Sequence, residues 1–356
     1  MHLRNDELNQ NTQPLRQHKI FNNWDVVTKG WYCALPSKKL KIKKALTVDL
    51  NGHKVMVYRG ESGKVHCLDA FCPHMGVDLS LGKVIGEEIR CFFHHWKFDS
   101  GARCTHIPCG ESPPKTLKLS SYATQEKYGL IWVYPEEETV EPLLEVPALE
   151  NQETVYKFDK PYFRTCHYHI TMINGIDPQH LSTVHSIHMD MDVDIDQSRE
   201  NHIEFTLRGK FPTTTLRERI GKKLLGDSYS YSMKYADGCL AALTVMKDAK
   251  LFGKYPLPEL HMYFAYSLVQ KGKVSVRPIY VNKRTRGPFG FIFNFIKLNM
   301  TKFFFKMLQG EDGLVYENIR FNTEAFLKLD APIVKYLRYI NHLEPSVWSQ
   351  MDLIKQ

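Results

Sequence analysis

Two short loops constrain this chain more than anything else in it. The first reads Cys72-Pro73-His74 and the second, 16 residues on, Cys91-Phe92-Phe93-His94. Each follows a strand-like segment (VHCLDA and EEIRC), so two neighbouring loop tips can hold one metal centre between them. Two thiolates and two imidazoles suit either of two centres. Tetrahedral zinc takes Cys2His2, and a [2Fe–2S] cluster can take two Cys on one iron and two His on the other. Zinc fingers pair Cys with Cys and His with His. Here each loop carries one of each, as C-x-H and C-x2-H, which favours the cluster.

Around the loops the chain reads as strand and turn from Trp24 to about Tyr134. Asn51-Gly52 between Ala45–Leu50 and Lys54–Arg59 is a hairpin signal, and GLIWVY (129–134) reads as a closing buried strand. The stretch from Pro135 to Pro147 is acidic and lacks periodicity, which marks a domain junction. Beyond it, strand patterns near 202–210, 228–235, 239–247, 258–270 and 274–282 alternate with short helical segments, and a helix is expected over roughly 289–310. The expectation is an α+β chain: a flexible arm at 1–20, an all-β domain at 21–140 and a second domain with an antiparallel sheet at 150–356.

A second set of metal-binding residues lies in that second half. Asp177-Pro178 is a helix start, with His180 in the first turn and His185 five positions later. Five residues rotate a regular helix by about 140° from coaxial alignment, so one metal would require a bend, a bulge or long reach. A 2-His-1-carboxylate iron site also requires a carboxylate, for which Glu311-Asp312 is the candidate. Cys166, His167 and His169 alternate in FRTCHYHITM and read as sheet positions, and His188 reads as a loop histidine. His95 reads as a solvated surface residue.

The loops resemble those of the Rieske family, C-P-H-x-G followed by C-x2-H-x-W. The additional loop cysteines that form a disulfide in respiratory Rieske proteins are missing. In the second half, Asn174, Asp177, His180 and His185 match N-x2-D-x2-H-x4-H, which resembles the mononuclear iron motif of Rieske non-haem iron oxygenases, and Glu311–Asn318 resembles that family's carboxylate segment. The resemblance covers nearly all of 22–345. It implies a [2Fe–2S] cluster on Cys72, His74, Cys91 and His94, and Fe(II) on His180, His185 and Asp312. It also implies a helix-grip-like catalytic domain and a homotrimer in which Asp177 bridges His94 of one subunit to His180 of the next. VYENIRF, DAPIVKYLRY and His106-Ile107-Pro108 resemble the branch of 3-ketosteroid 9α-hydroxylases and cholesterol 7-desaturases. The implied reaction is O2-dependent hydroxylation, demethylation or desaturation of an apolar substrate, sterol-like or aromatic. The alternatives are a Rieske electron-transfer protein, an aromatic-ring dihydroxylating dioxygenase and a zinc-stabilised binding module.

No G-x-G-x-x-G is present, so electrons are expected from a ferredoxin or flavoprotein reductase. The run Ser37–Lys44, with five lysines, offers such an acidic partner a docking surface. The net charge of +8 is too mild to imply nucleic acid. Eight cysteines without a secretory signal point to a reducing, cytoplasmic setting. No stretch of 18 apolar residues exists, so no membrane span is expected. The Phe-rich segment Pro288–Ile296 reads as a buried helix. Phe291, Phe293, Phe295, Phe303 and Phe304, close before Asp312, are expected to favour a large apolar substrate.

Overall fold

The computed structural model describes residues 19–185, 191–210 and 216–349; His188 lies outside them, as does all of the N-terminal arm but its last two residues. The chain divides into two compact units. One comprises 25–143, 267–271 and the C-terminal stretch from 345, and the other 19–24, 144–266 and 272–344.

The first unit is all β, in three small antiparallel sheets. Its strands are β1 (Tyr32–Pro36), β2 (Ala45–Leu50), β3 (His53–Arg59), β4 (Val65–Asp69), β5 (Lys83–Ile85), β6 (Glu88–Arg90), β7 (Lys97–Phe98), β8 (Cys104–His106), β9 (Ser121–Tyr122), β10 (Thr124–Lys127) and β11 (Leu130–Val133). They pair in the orders β1-β11-β10, β2-β3-β4-β9 and β5-β6-β7-β8. The β2–β3 hairpin turns on Asn51 (φ 58°) and Gly52 (φ 85°), the left-handed pair that matches strand twist. All four residues of β11 are buried, as expected of a strand flanked on both edges. Within this unit Trp348 stacks on His53, 5.6 Å between ring centroids and 13° from parallel.

The second unit is built on an eight-stranded antiparallel sheet. Its strands are β12 (Thr154–Phe158), β13 (Tyr162–Arg164), β14 (Met191–Arg199), β15 (His202–Lys210), β16 (Ser228–Ala236), β17 (Leu240–Val245), β20 (Leu260–Gln270) and β21 (Lys273–Lys283), with a separate ribbon of β18 (Lys250–Leu251) and β19 (Tyr255–Pro256). The sheet order is β12-β21-β20-β17-β16-β15-β14, with β13 also on β21. Along β15, Ile203, Phe205 and Leu207 alternate inward, each contributing about 1.5–3 kcal/mol by burial. The helices are α1 (Tyr168–Asn174), α2 (Pro178–Thr183), α3 (Leu216–Leu225), α4 (Gly290–Asn318) and α5 (Ala331–His342).

Two expectations change. The segment around Cys166, His167 and His169 is not a strand. The strand stops at Arg164, and His167 caps α1, its Nδ1 accepting the His169 amide at 3.2 Å. His167 and His169 are buried, and the ring of His169 is held at both nitrogens, by the Asn22 amide (3.1 Å) and the Gly238 carbonyl (3.2 Å). The Phe-rich segment is helical, but it is not buried. Phe289, Phe291, Phe293 and Phe295 are all more than half exposed. The helix also runs past its expected end to Asn318. No helix among the described residues is long and apolar enough to cross a membrane.

Candidate metal centres and active-site cavity

The first loop follows β4 and closes on itself, with Cys72 N donating to Val77 O (2.8 Å) and Gly76 N to Cys72 O (2.8 Å). Gly76 takes φ 74°, where a side chain would be strained. The second loop joins β6 to β7, with Cys91 N donating to Trp96 O at 2.9 Å. His95 in this loop takes φ 57°, a left-handed position that glycine fills without penalty and other residues at about 1–2 kcal/mol. Cys72 and Cys91 are buried, while His74 and His94 are exposed. Burial, together with the adjacent Cys91, pushes the Cys72 thiol up to about 11. The His74 ring lies parallel to the Trp96 indole (4.4 Å, 6°) and 4.6 Å from the His94 ring.

This asymmetry bears on which centre fits. Among the described residues, one group of three or more His, Cys, Asp or Glu brings its ligand atoms within 4.8 Å of one another, and it is not this one. The two loops present sulfur inside and imidazole outside. That arrangement suits two irons of different ligation better than one tetrahedral ion.

The group within 4.8 Å is His180, His185 and Asp312. Asp177 caps α2 by accepting Gln179 N (2.8 Å) and His180 N (3.4 Å), with Pro178 at the first helical position. The five-residue spacing is accommodated because α2 ends at Thr183. His185 lies in the bend beyond it, and the two imidazoles approach to 5.0 Å between centroids, 77° apart in plane. Asp312 comes from the last two turns of α4.

Both Nδ1 atoms are engaged. That of His180 bonds the Asp177 main-chain oxygen (2.7 Å), and that of His185 the Glu311 carboxylate (2.5 Å). These acceptors place the proton on Nδ1 and leave each Nε2 lone pair for a metal. Sequence reading offered Glu311 only as a possible ligand beside Asp312; its role as an orienting acceptor becomes visible once the fold brings it to His185. Asp312 Oδ1 is buried without a hydrogen-bond partner, although His185 Nε2 lies 3.2 Å away. A cation shared by that oxygen and the two Nε2 atoms would satisfy all three, so the donor set fits a divalent iron.

Burial lowers the His180 pKa, which keeps the ring neutral as a ligand must be. Contact with the Asp312 carboxylate raises that of His185 above 6.5. A proton on His185 therefore stabilises the metal-free fold. That stabilisation is complete below about pH 6.5 and is lost as pH rises through the raised value. Iron must displace this proton. Iron affinity of the metal-free protein is thus expected to fall on acidification, starting from a higher pH than a free imidazole would give, and chelator-competition titrations over roughly pH 6 to 8 measure it.

The triad forms part of the wall of a cavity of about 140 Å3 that also meets Tyr162, Leu243, Phe264, Phe305 and Leu308. Of the phenylalanines expected to serve a substrate, Phe291, Phe293, Phe295 and Phe303 point outward and Phe304 is not in the lining; Phe264 and Phe305 line it instead. Arg164 also lines it, stacked on Tyr162 (5.1 Å) and Tyr316 (5.3 Å), its Nε buried without a hydrogen-bond partner. Cys166, His167 and His169 do not line it.

Residues 30–123 match the Rieske [2Fe-2S] domain, and solved structures of low sequence identity share the fold over most of the chain. Dicamba monooxygenase aligns over 92% of this chain and 100% of its own at TM-score 0.60 and 18% identity. NdmB of Pseudomonas putida CBB5 aligns over 87% and 89% at TM-score 0.63 and 17% identity. By sequence, the chain is 33% identical over 159 residues to cholesterol 7-desaturase nvd of Bombyx mori, covering 44% of this chain and 35% of that protein. It is 36% identical over 124 residues to the oxygenase component of 3-ketosteroid-9-alpha-monooxygenase of Rhodococcus rhodochrous, covering 34% and 32%. The matched stretch thus spans about a third of the length of these relatives.

Proposed function

We propose that this chain is the oxygenase component of a Rieske-type oxidoreductase that hydroxylates, demethylates or desaturates an apolar substrate with O2 and externally supplied electrons. One observation carries the reading: a 2-His-1-carboxylate group forms part of the wall of a mainly apolar cavity, in a chain that also bears a Rieske domain. An electron carrier has no use for the second group, and a zinc module has no use for the asymmetric loops.

In this reading Cys72, Cys91, His74 and His94 hold the cluster, and His180, His185 and Asp312 hold a ferrous ion. When bound, these centres supply single electrons and dioxygen activation. The chain's own part is positional. Asp177 O and Glu311 fix the two imidazoles, Tyr162, Leu243, Phe264 and Phe305 exclude water around the substrate, and Arg164 offers a donor to one oxygen of an otherwise apolar molecule. The names of the sequence relatives favour a steroid skeleton, and the aromatic cavity lining is compatible with one. Electron supply falls to a ferredoxin or flavoprotein reductase, for which Lys38, Lys39, Lys41 and Lys44 are exposed on the Rieske unit. A homotrimer, with Asp177 linking clusters and irons of adjacent subunits, completes the circuit. Among the described residues no cysteine is joined in a disulfide, in keeping with a reducing cytoplasm.

The test is direct. Protein made with iron and sulfide available should be red-brown with a [2Fe–2S] spectrum, and should take up O2 with a surrogate reductase only when a sterol, steroid ketone or methoxy-aromatic is present. A colourless zinc protein, or a coloured one indifferent to every such compound, would overturn the proposal.

A further inference from the structure

The first half of α4 is amphipathic in the reverse sense to a water-exposed helix. Its inward residues are polar. Asn294 exchanges hydrogen bonds with the main chain of Thr285 (2.8 and 3.0 Å), and Thr301 accepts from Asn282 at 3.0 Å. The Lys297 ammonium donates to Lys283 O and Thr285 Oγ1. Its outward residues are apolar: Phe289 (64%), Phe291 (81%), Phe293 (54%), Phe295 (61%) and Phe303 (65%) are exposed, with Ile292, Ile296, Met300 and Met307 among them. A helix on a globular surface turns its apolar stripe to the core and its polar face to water. This one satisfies its polar groups inside and leaves phenylalanine outside, along about 27 Å of helix at 1.5 Å per residue.

Cations predominate around this face, although Arg286 pairs with Glu153 and Lys302 with Asp159, which leaves Lys283, Arg284 and Lys306 exposed and, among the described residues, without a carboxylate in salt-bridge contact. Between 283 and 310 stand Lys283, Arg284, Arg286, Lys297, Lys302 and Lys306, without a single Asp or Glu. A second copy of the same face would set cation against cation. The apolar arc, with Phe291, Ile292 and Phe295 beside the Phe289–Phe293–Ile296–Met300–Phe303–Met307 row, is also wider than the narrow seam of a two-helix contact and lacks its charged flanks. Phenylalanine on one face with lysine and arginine at its margins is the composition of a helix lying in a lipid headgroup region.

We infer that α4 docks this protein on an anionic phospholipid bilayer, with the exposed phenylalanines inserted to the acyl boundary and Lys283, Arg284 and Lys306 at the phosphates. The same helix continues into the cavity wall through Phe305, Leu308 and Asp312. Delivery of a lipid-dissolved substrate along it rests on the oxygenase reading, whereas the docking does not.

The experiment is co-sedimentation of the full-length, cluster-loaded protein with vesicles of phosphatidylcholine alone or mixed with phosphatidylglycerol, beside the combined Phe291→Ser, Phe295→Ser, Phe303→Ser variant. The side chains changed are exposed, so the cluster spectrum and far-UV dichroism report an intact fold. The wild type should bind the anionic vesicles, more weakly at high salt, and the variant at least about tenfold more weakly. Absence of vesicle binding by the wild type would overturn the inference, as would undiminished binding by the variant. So would a wild-type oligomer that the variant dissolves while vesicle binding is unchanged, since a second copy would then cover the face. Docking that is lost in the variant while O2 uptake with a water-soluble substrate persists supports the inference and leaves the oxygenase reading intact.

Discussion

His180→Ala is expected to leave the [2Fe–2S] spectrum untouched while removing the mononuclear iron and all substrate-dependent O2 uptake. The imidazole is buried, its Nδ1 is fixed by the Asp177 carbonyl at 2.7 Å, and burial keeps it uncharged. Its loss leaves one imidazole and one carboxylate, too few to hold a ferrous ion against water. Changes to residues that merely orient a ligand cost about 10–100-fold in metal affinity, so removing a ligand should exceed that. Alanine suits the interior of α2, and the Asp177 cap remains, so the fold should survive. Iron analysis, the spectrum of the reduced cluster and an oxygen electrode together read the result. Full iron occupancy with normal uptake would remove His180 from the site and the proposed mechanism with it.

What the sequence disclosed depended on how local each signal was. The Cys-His loops were readable because their chemistry is written within a few residues and differs from that of zinc fingers. The match of residues 30–123 to the Rieske domain agrees with that reading. The strand at 202–210 follows from alternating burial, a period carried by the chain itself, whereas those at 228–236, 240–245 and 260–270 are buried in nearly continuous runs, as central strands of the sheet are. The His180–His185 pair was ambiguous because its geometry depends on where α2 stops, and only tertiary structure shows the bend after Thr183. Asp312 lies more than a hundred residues away and was reached through resemblance alone. His167 and His169 were misread because Cys-His-Tyr-His alternates with the period of a strand, while the backbone forms a short helix capped by His167. The phenylalanines of α4 were placed inside because apolar residues are by default assigned to the core, whereas the fold turns Asn294 and Thr301 inward instead. Nothing in a string of residues says which face of a helix meets which solvent.

Asp177→Asn separates positioning within one chain from a link between chains. In the structure the Asp177 carboxylate caps α2 through Gln179 N and His180 N, and the main-chain oxygen, not the carboxylate, receives His180 Nδ1. Asparagine keeps an acceptor at Oδ1 and is as good a cap as aspartate, and the main-chain carbonyl is unchanged. The helix, the His180 tautomer and the iron should therefore all persist. What asparagine loses is the negative charge and the second carboxylate oxygen that an imidazole N–H from another subunit would need. His94 is exposed and able to offer such a group. If adjacent subunits are coupled through this carboxylate, the variant should contain full cluster and full iron yet turn over about 10–100-fold more slowly, with slowed reoxidation of the reduced cluster. Normal turnover by the metal-replete variant would refute the bridge. Loss of iron would refute it too, because the carboxylate would then be serving His180 within its own chain.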